Sequence, residues 1–160
     1  GKNWALKEYP AAYYSDALRI LRTRLGPMSV VHVGSLDDTP LEGRGVIDVR
    51  GEYTLPETAE ILKQCDFFLG NDTGLSWLSS AVGTRTFSVF GPTDPVKCLP
   101  PWKGVAIKQE LWCQPCQRLV LGVRPDGSPC NNECMRDFSP KMVASVIADT
   151  IDRRKSYLDK

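Results

Sequence analysis

The sequence predicts a doubly wound α/β fold, a parallel sheet with helices on both faces. Two observations lead there. Segments of strand character alternate with segments of helical period along most of the chain. The strand segments are short continuous apolar runs, not polar–apolar alternations, which is the pattern of strands covered on both faces. Ligands of such sheets bind beyond the carboxyl ends of the strands, so function is sought after Val33, Leu69 and Phe90.

The elements follow in order. Tyr9 to Leu25 reads as a helix, with Tyr13, Ala17, Leu18, Leu21 and Leu25 on one apolar face and Gly26-Pro27 as its stop. Met28 to Val33 and Gly45 to Val49 read as strands, separated by a polar turn region. Leu55 to Gln64 is a helix with Pro56 in its first turn. Asp66 to Gly70 is a third strand, and Thr73 to Val82 a helix stopped at Gly83. Arg85 to Phe90 is a fourth strand. Gly91 to Lys103 holds four prolines and reads as loop. Gly104 to Lys108 is a fifth strand. Ser139 caps a closing helix, expected at about 139–157, with Met142, Val143, Val146, Ile147 and Ile151 on one face. All 160 residues are expected to form one domain.

Composition narrows the function classes. Hydrophobic residues at 42% and charged residues at 24% exclude a mainly disordered chain. Twenty basic against nineteen acidic residues give a formal charge of +1. A generic nucleic-acid or anionic-membrane surface is not expected from that balance. The longest apolar runs fall far short of the roughly 20 residues that span a bilayer.

Six cysteines divide into two scattered ones, Cys65 and Cys98, and a cluster, Cys113-x2-Cys116-x13-Cys130-x3-Cys134, inside a segment at about 112–137. Two close pairs separated by a turn-rich stretch suit tetrahedral chelation of zinc, with iron allowed. Two disulfides or four free thiols are the other readings of the same spacing. The metal reading implies a cytoplasmic protein.

The densest signal follows the third strand: Gly70-Asn71-Asp72-Thr73-Gly74-Leu75-Ser76-Trp77. Gly70 is expected to let the chain turn. Gly74 removes a side chain where a helix begins, so a ligand can approach free N–H groups and the positive end of the dipole. An ordinary helix cap accounts for the same residues equally well. A second loop, Phe90-Gly91-Pro92-Thr93-Asp94-Pro95, should emerge beside the first, because both leave the same edge of adjacent strands. His32 sits in an apolar strand and reads as structural. Trp102 and Trp112 read as packing residues, lining of the donor pocket being the other reading for one of them, and Arg153-Arg154-Lys155 reads as a solvated helix end.

These motifs, with Gly83-Thr84, Cys134-Met135-Arg136-Asp137-Phe138-Ser139-Pro140 and the opening Lys2-Asn3-Trp4, resemble the heptosyltransferases, glycosyltransferase family 9. The resemblance implies the Rossmann-like C-terminal half of a GT-B fold, here with a Cys-rich finger. That half binds a nucleotide-diphosphate sugar, commonly ADP-heptose. An N-terminal acceptor-binding domain supplies the catalytic base, so no catalytic residue is expected in this chain. The implied donor-binding residues are Lys2, Asp72, Thr73, Gly74, Leu75, Trp77, Thr93 and Asp94. Lys2 would offset the leaving diphosphate, and no metal is required at the donor. The acceptor would be a lipopolysaccharide core, another glycan or a protein, reached in the bacterial cytoplasm and, for a membrane-bound acceptor, by peripheral approach to the inner membrane.

The sequence departs from the family pattern at Trp77, where His is usual, which bears on the identity of the sugar. Asp37 and Asp38 are weak candidates for the ribose acid and read better as a solvated loop. The regular cysteine spacing is similar to that of protein-modifying members, in which four cysteines hold iron. The alternative function is a non-enzymatic α/β binding module with a structural metal finger. An enzyme complete in itself, acting on phosphosugars or nucleotides, is a third.

Overall fold

A computed structural model of the chain describes residues 4–117 and 122–158. The element order is a 3-10 turn (Ala5–Lys7), α1 (Ala11–Leu25), β1 (Val30–His32), β2 (Val46–Asp48), α2 (Leu55–Lys63), β3 (Phe67–Asn71), α3 (Gly74–Ala81), β4 (Arg85–Phe90), α4 (Pro95–Cys98), β5 (Gly104–Lys108), β6 (Gly122–Val123), β7 (Pro129–Cys130), α5 (Glu133–Arg136) and α6 (Pro140–Leu158). The expected βα alternation is present, and the pairings among β1 to β5 are all parallel. β1 pairs with β2, and β3-β4-β5 form a three-stranded sheet.

β4 is the centre of that sheet and is almost wholly buried, as its apolar residues require. Its side chains alternate between two environments. Phe87 and Val89 join Ile107 of β5 in a core with Ala17 and Leu21 of α1 and Val143, Ala144, Ile147 and Ala148 of α6. α1 and α6 pack together, and Arg24 on α1 pairs with Asp149 on α6 at 2.7 Å. Thr86 turns the other way, and its hydroxyl donates to Ser79 of α3 at 3.0 Å. Helices therefore cover both faces of the sheet, as the continuous runs imply. The α3 side is less apolar than expected: Ser76, Ser79, Ser80, Thr84, Thr86 and Ser88 are buried there. Small hydroxylated side chains let helix and strand approach closely, and hydrogen bonds offset the desolvation of all of them but Ser88, whose hydroxyl has no partner.

Two details differ from the sequence expectation. The stretch 91–103 contains a short helix, α4, because Asp94 caps it and Pro95 starts it. Gly70 lies inside β3 and does not make a turn. A Cβ there would come within 2.6 Å of the Phe68 ring, so the glycine makes room for an aromatic neighbour. No helix among the described residues is long and apolar enough to cross a membrane.

Candidate functional site

β3 and β4 run parallel in the register Asn71↔Val89, and the Asp72 N–H donates to the Val89 carbonyl at 3.3 Å. The loops after both strands consequently leave the sheet side by side at its carboxyl edge. α3 begins in the first loop. The Ser76 hydroxyl accepts from the Thr73 N–H at 3.2 Å and donates to the Thr73 carbonyl at 2.6 Å. This cap engages Thr73 and leaves the N–H groups of Gly74 and Leu75 without intrahelical partners. A Cβ on Gly74 would have no atom within 4 Å, so the space on that side of the helix start is open. Leu75 is half-buried, and Trp77 stands out at 44% exposure one turn further on.

The segment before α1 lies across this loop, and its role was not legible in the sequence. The Lys7 ammonium lies 2.9 Å from Asp72 Oδ2, with side-chain exposures of 21% and 6%. Lys7 also sits over the Trp4 ring, 5.3 Å from its centroid. Asn71 Oδ1 accepts from the Tyr9 N–H at 3.1 Å and from the Tyr14 hydroxyl at 2.7 Å. Burial raises the pKa of the Tyr14 hydroxyl well above its ordinary value, so it remains a donor. Lys2, the cation named from the sequence, lies outside the described residues; Lys7 is the described cation at this loop.

In the second loop Thr93 is 6% exposed, and its Oγ1 has no hydrogen-bond partner. Asp94 is differently occupied: its carboxylate accepts from the Val96 N–H at 2.9 Å and so caps α4. The loop is braced by the cysteine segment. Gln114 Nε2 donates to the Gly91 carbonyl at 2.8 Å, and the Gln117 N–H to the Pro92 carbonyl at 2.7 Å. Met135 packs so closely on Gly91 that a Cβ there would lie 2.7 Å from its Cγ and Sδ.

The four clustered cysteines line one cavity of about 20 Å³, together with Leu6, Pro92, Arg124 and Glu133. All six cysteines are free thiols. Burial and then the neighbouring Cys116, Cys130 and Cys113 push the Cys134 thiol up to about 12. The expected tetrahedral chelate is not assembled: among the described residues no three His, Cys, Asp or Glu side chains are grouped to hold a metal ion. Two of the thiols are drawn into local bonds instead, Cys134 Sγ to Asn132 Oδ1 at 3.4 Å and Cys130 Sγ to Glu133 Oε2 at 3.7 Å. The Arg124 guanidinium pairs with Glu133 at 2.6 Å, while its buried Nε has no partner.

The remaining sequence candidates resolve as follows. Asp38 Oδ2 accepts from the Ser35 N–H at 2.8 Å within its own loop. His32 is half-buried and structural: its Nδ1 accepts from the Leu41 N–H at 3.4 Å. Trp102 and Trp112 are not packing residues, being 72% and 67% exposed. The side chains of Arg153, Arg154 and Lys155 lie outside the described residues.

Comparison with known proteins agrees with this architecture. Residues 2–121, three quarters of the chain, match the model of glycosyltransferase family 9 (heptosyltransferase). Lipopolysaccharide heptosyltransferase 1 of Salmonella typhimurium is 31% identical over 94 residues, covering 56% of this chain and 29% of that protein. Lipooligosaccharide heptosyltransferase 2 of Campylobacter jejuni is 28% identical over 93 residues, covering 56% and 27%. Among solved structures, ADP-heptose LPS heptosyltransferase II of E. coli superposes with a TM-score of 0.69 at 18% identity, covering 93% of this chain and 43% of that one. The dodecameric iron-containing heptosyltransferase TibC, in complex with ADP-D-beta-D-heptose, gives 0.72 at 20% identity, covering 95% and 43%. At these identities the structural likeness is one of fold. The chain spans under a third of the length of the curated relatives and under half of the solved chains it matches. With its parallel sheet, its helix start at the carboxyl edge and the family match over most of its length, the chain belongs to glycosyltransferase family 9.

Proposed function

We propose that these residues form the donor-binding half of an inverting glycosyltransferase that uses a nucleotide-diphosphate sugar, ADP-heptose. The observation that carries this reading is the start of α3: the N–H groups of Gly74 and Leu75 have no intrahelical partner, the space around a Gly74 Cβ is open, and the neighbouring loop from β4 carries the unpartnered Thr93 hydroxyl. Helix N–H groups and dipole stabilise a diphosphate as it gains charge on leaving. Lys2 would add a cation, and the Thr73 hydroxyl a donor. Asp72 and Trp77 would face the sugar. The base and the acceptor site belong to an N-terminal domain. There a carboxylate takes the proton of an acceptor hydroxyl, whose oxygen bonds to the anomeric carbon as the bond to the diphosphate breaks with inversion. A lipopolysaccharide core, another glycan or a protein would be the acceptor, met in the cytoplasm or at the inner membrane.

Calorimetry on the intact protein tests the donor site. Binding of ADP that weakens in Thr73→Ala and Lys2→Ala is expected. Absence of binding to ADP, UDP and GDP at millimolar concentration would overturn the reading.

We further propose that the cysteine segment takes up a structural metal, zinc or iron, around which the four thiols would have to draw together, since they are not grouped as a chelate here. Four thiols line one small cavity, and the orphaned Arg124 Nε–H would gain a partner in the anionic cluster that four thiolates and a dication make. Cys113, Cys116, Cys130 and Cys134 would hold the ion, which would cross-link the segment that braces Gly91 and Pro92. The protein is expected to carry one equivalent of zinc plus iron after chelator-free purification. Less than half an equivalent would refute the site.

A further inference from the structure

We propose that β1 and β3 are joined by one further parallel β-strand standing between them, and that a segment of the polypeptide ahead of Gly1 supplies it. The described strands β1 to β5 form two separate parallel sheets, β1-β2 and β3-β4-β5, so β1 and β3 each have one edge without a partner strand. The Asp72 N–H donates to Val89 on β4. Donors alternate in direction along a strand, so the N–H groups of Leu69 and Asn71 point to the open edge. On β1 the Val30 N–H donates to Gly45 ahead of β2, so the Val31 N–H points to the open edge there. Such edges take up a strand through main-chain hydrogen bonds.

The side chains fit inner strands better than edges. A continuous apolar run marks a strand covered on both faces. Phe67-Phe68-Leu69 in β3 and Val30-Val31 in β1 are such runs, yet both strands are only half-buried beside the almost wholly buried β4. Edges that meet solvent are usually blunted by charge or proline. β2 and β5 carry a charge, Asp48 and Lys108, whereas β1 and β3 hold no carboxylate, lysine, arginine or proline.

Handedness and the path of α1 place the strand. A crossover between parallel strands is right-handed in almost every case. α3 leads from β3 to β4 on one face of the sheet, and α1 lies with α6 on the other. α1 starts at the carboxyl edge, where the Tyr14 hydroxyl donates to Asn71, and leads into β1. A strand feeding α1 therefore ends at that edge, parallel to β3. Because α1 is on the opposite face from α3, the step from that strand to β1 runs opposite to the step from β3 to β4. The strand thus stands on the β3 side of β1. α1 spans this place: it is tied to β3 through Asn71, and to the other sheet through Arg22 on the Met28 carbonyl and Ser15 on the Glu42 N–H. A helix about 10 Å across covers about two strand spacings, which leaves one strand position beneath it. Its occupant would be a run of about five residues, apolar on both faces. Its carboxyl end would lie beside Asn71 and steady the loop that opens α3.

Amide hydrogen exchange and NOE spectra of the intact protein, residues ahead of Gly1 included, test this. The Gly70 N–H faces β4 and serves as the internal reference for Leu69, as His32 does for Val31. With a strand in place, Leu69 and Val31 should exchange within about tenfold of their references. NOEs should connect both residues to one segment ahead of Gly1. Exchange at Leu69 and Val31 that is roughly hundredfold faster than at the references would mean open edges and would overturn the proposal. So would NOEs running directly from β1 to β3, to a later segment of the chain, or between differently labelled copies. Each of these results is independent of ADP binding, so the donor site is judged separately by its own calorimetry.

Discussion

Gly74→Ala separates stability from binding, because the two should move in opposite directions. Gly74 opens α3, and a Cβ built on it meets no atom within 4 Å. No packing is disturbed, and the unfolded chain loses freedom. Replacing a helical glycine by alanine is worth up to about 1 kcal/mol, less in the first turn. For a chain of this length that corresponds to a rise in Tm of roughly 1–4 °C. The new methyl projects beside the N–H groups that the donor phosphate would use. A charge-assisted hydrogen bond contributes about 1.5–3 kcal/mol, so a phosphate pushed out of reach binds roughly 10–100-fold more weakly. Thermal denaturation measures the first effect and calorimetry with ADP the second. A variant that is at least as stable as wild type yet binds ADP equally well would show that no ligand docks on this helix start. A variant that loses stability would show that the open space is filled.

Gly91→Ala should behave in the opposite way, losing stability and binding together. Its Cβ would lie 2.7 Å from the buried Met135 side chain, and overpacking of this kind costs about 1–3 kcal/mol. Urea denaturation measures the loss, and unchanged stability would show that Met135 is not pressed on the loop. His32 should make the fold sensitive to mild acid. Burial lowers its pKa below 6.5, so the unfolded chain takes up a proton before the folded one. Stability from this source is complete above 6.5 and declines as pH falls through the folded value. Urea midpoints at about pH 7.5 and 5.5 should differ more in wild type than in His32→Asn, which keeps an acceptor for Leu41 but does not titrate there.

How far the sequence reaches depends on the range of the interaction that decides each feature. β4 was read correctly from end to end although Thr86 and Ser88 interrupt its apolar residues, because Phe87, Val89 and Phe90 lie between Gly83-Thr84 and the proline-rich stretch that bound the strand, a property of neighbouring residues. The adjacency of the loops after β3 and β4 followed from a rule of parallel sheets, not from the loops themselves. Asp94 had a local signal that went unused: an acidic residue directly before proline is a helix cap followed by a first-turn residue, and that is where its carboxylate is occupied. Gly70 was misread because the ring it accommodates belongs to Phe68, two positions back on the same face of the strand. The exposed Trp102 and Trp112 defeat an expectation drawn from residue type alone, since aromatic character does not say which side of a loop faces solvent.

Lys7 is the opposite case. Nothing within several residues of it marks it out, and Glu8 beside it would suggest an ordinary solvated pair. Its partner is fixed only when the segment before α1 crosses the carboxyl edge of the sheet, with Tyr9 and Tyr14 engaged on Asn71. The near-zero net charge of the chain therefore says little about its electrostatics. A single ammonium placed against a buried carboxylate shapes the local field more than a surplus of surface lysines would, because solvent and salt screen exposed charges far more than a largely buried pair.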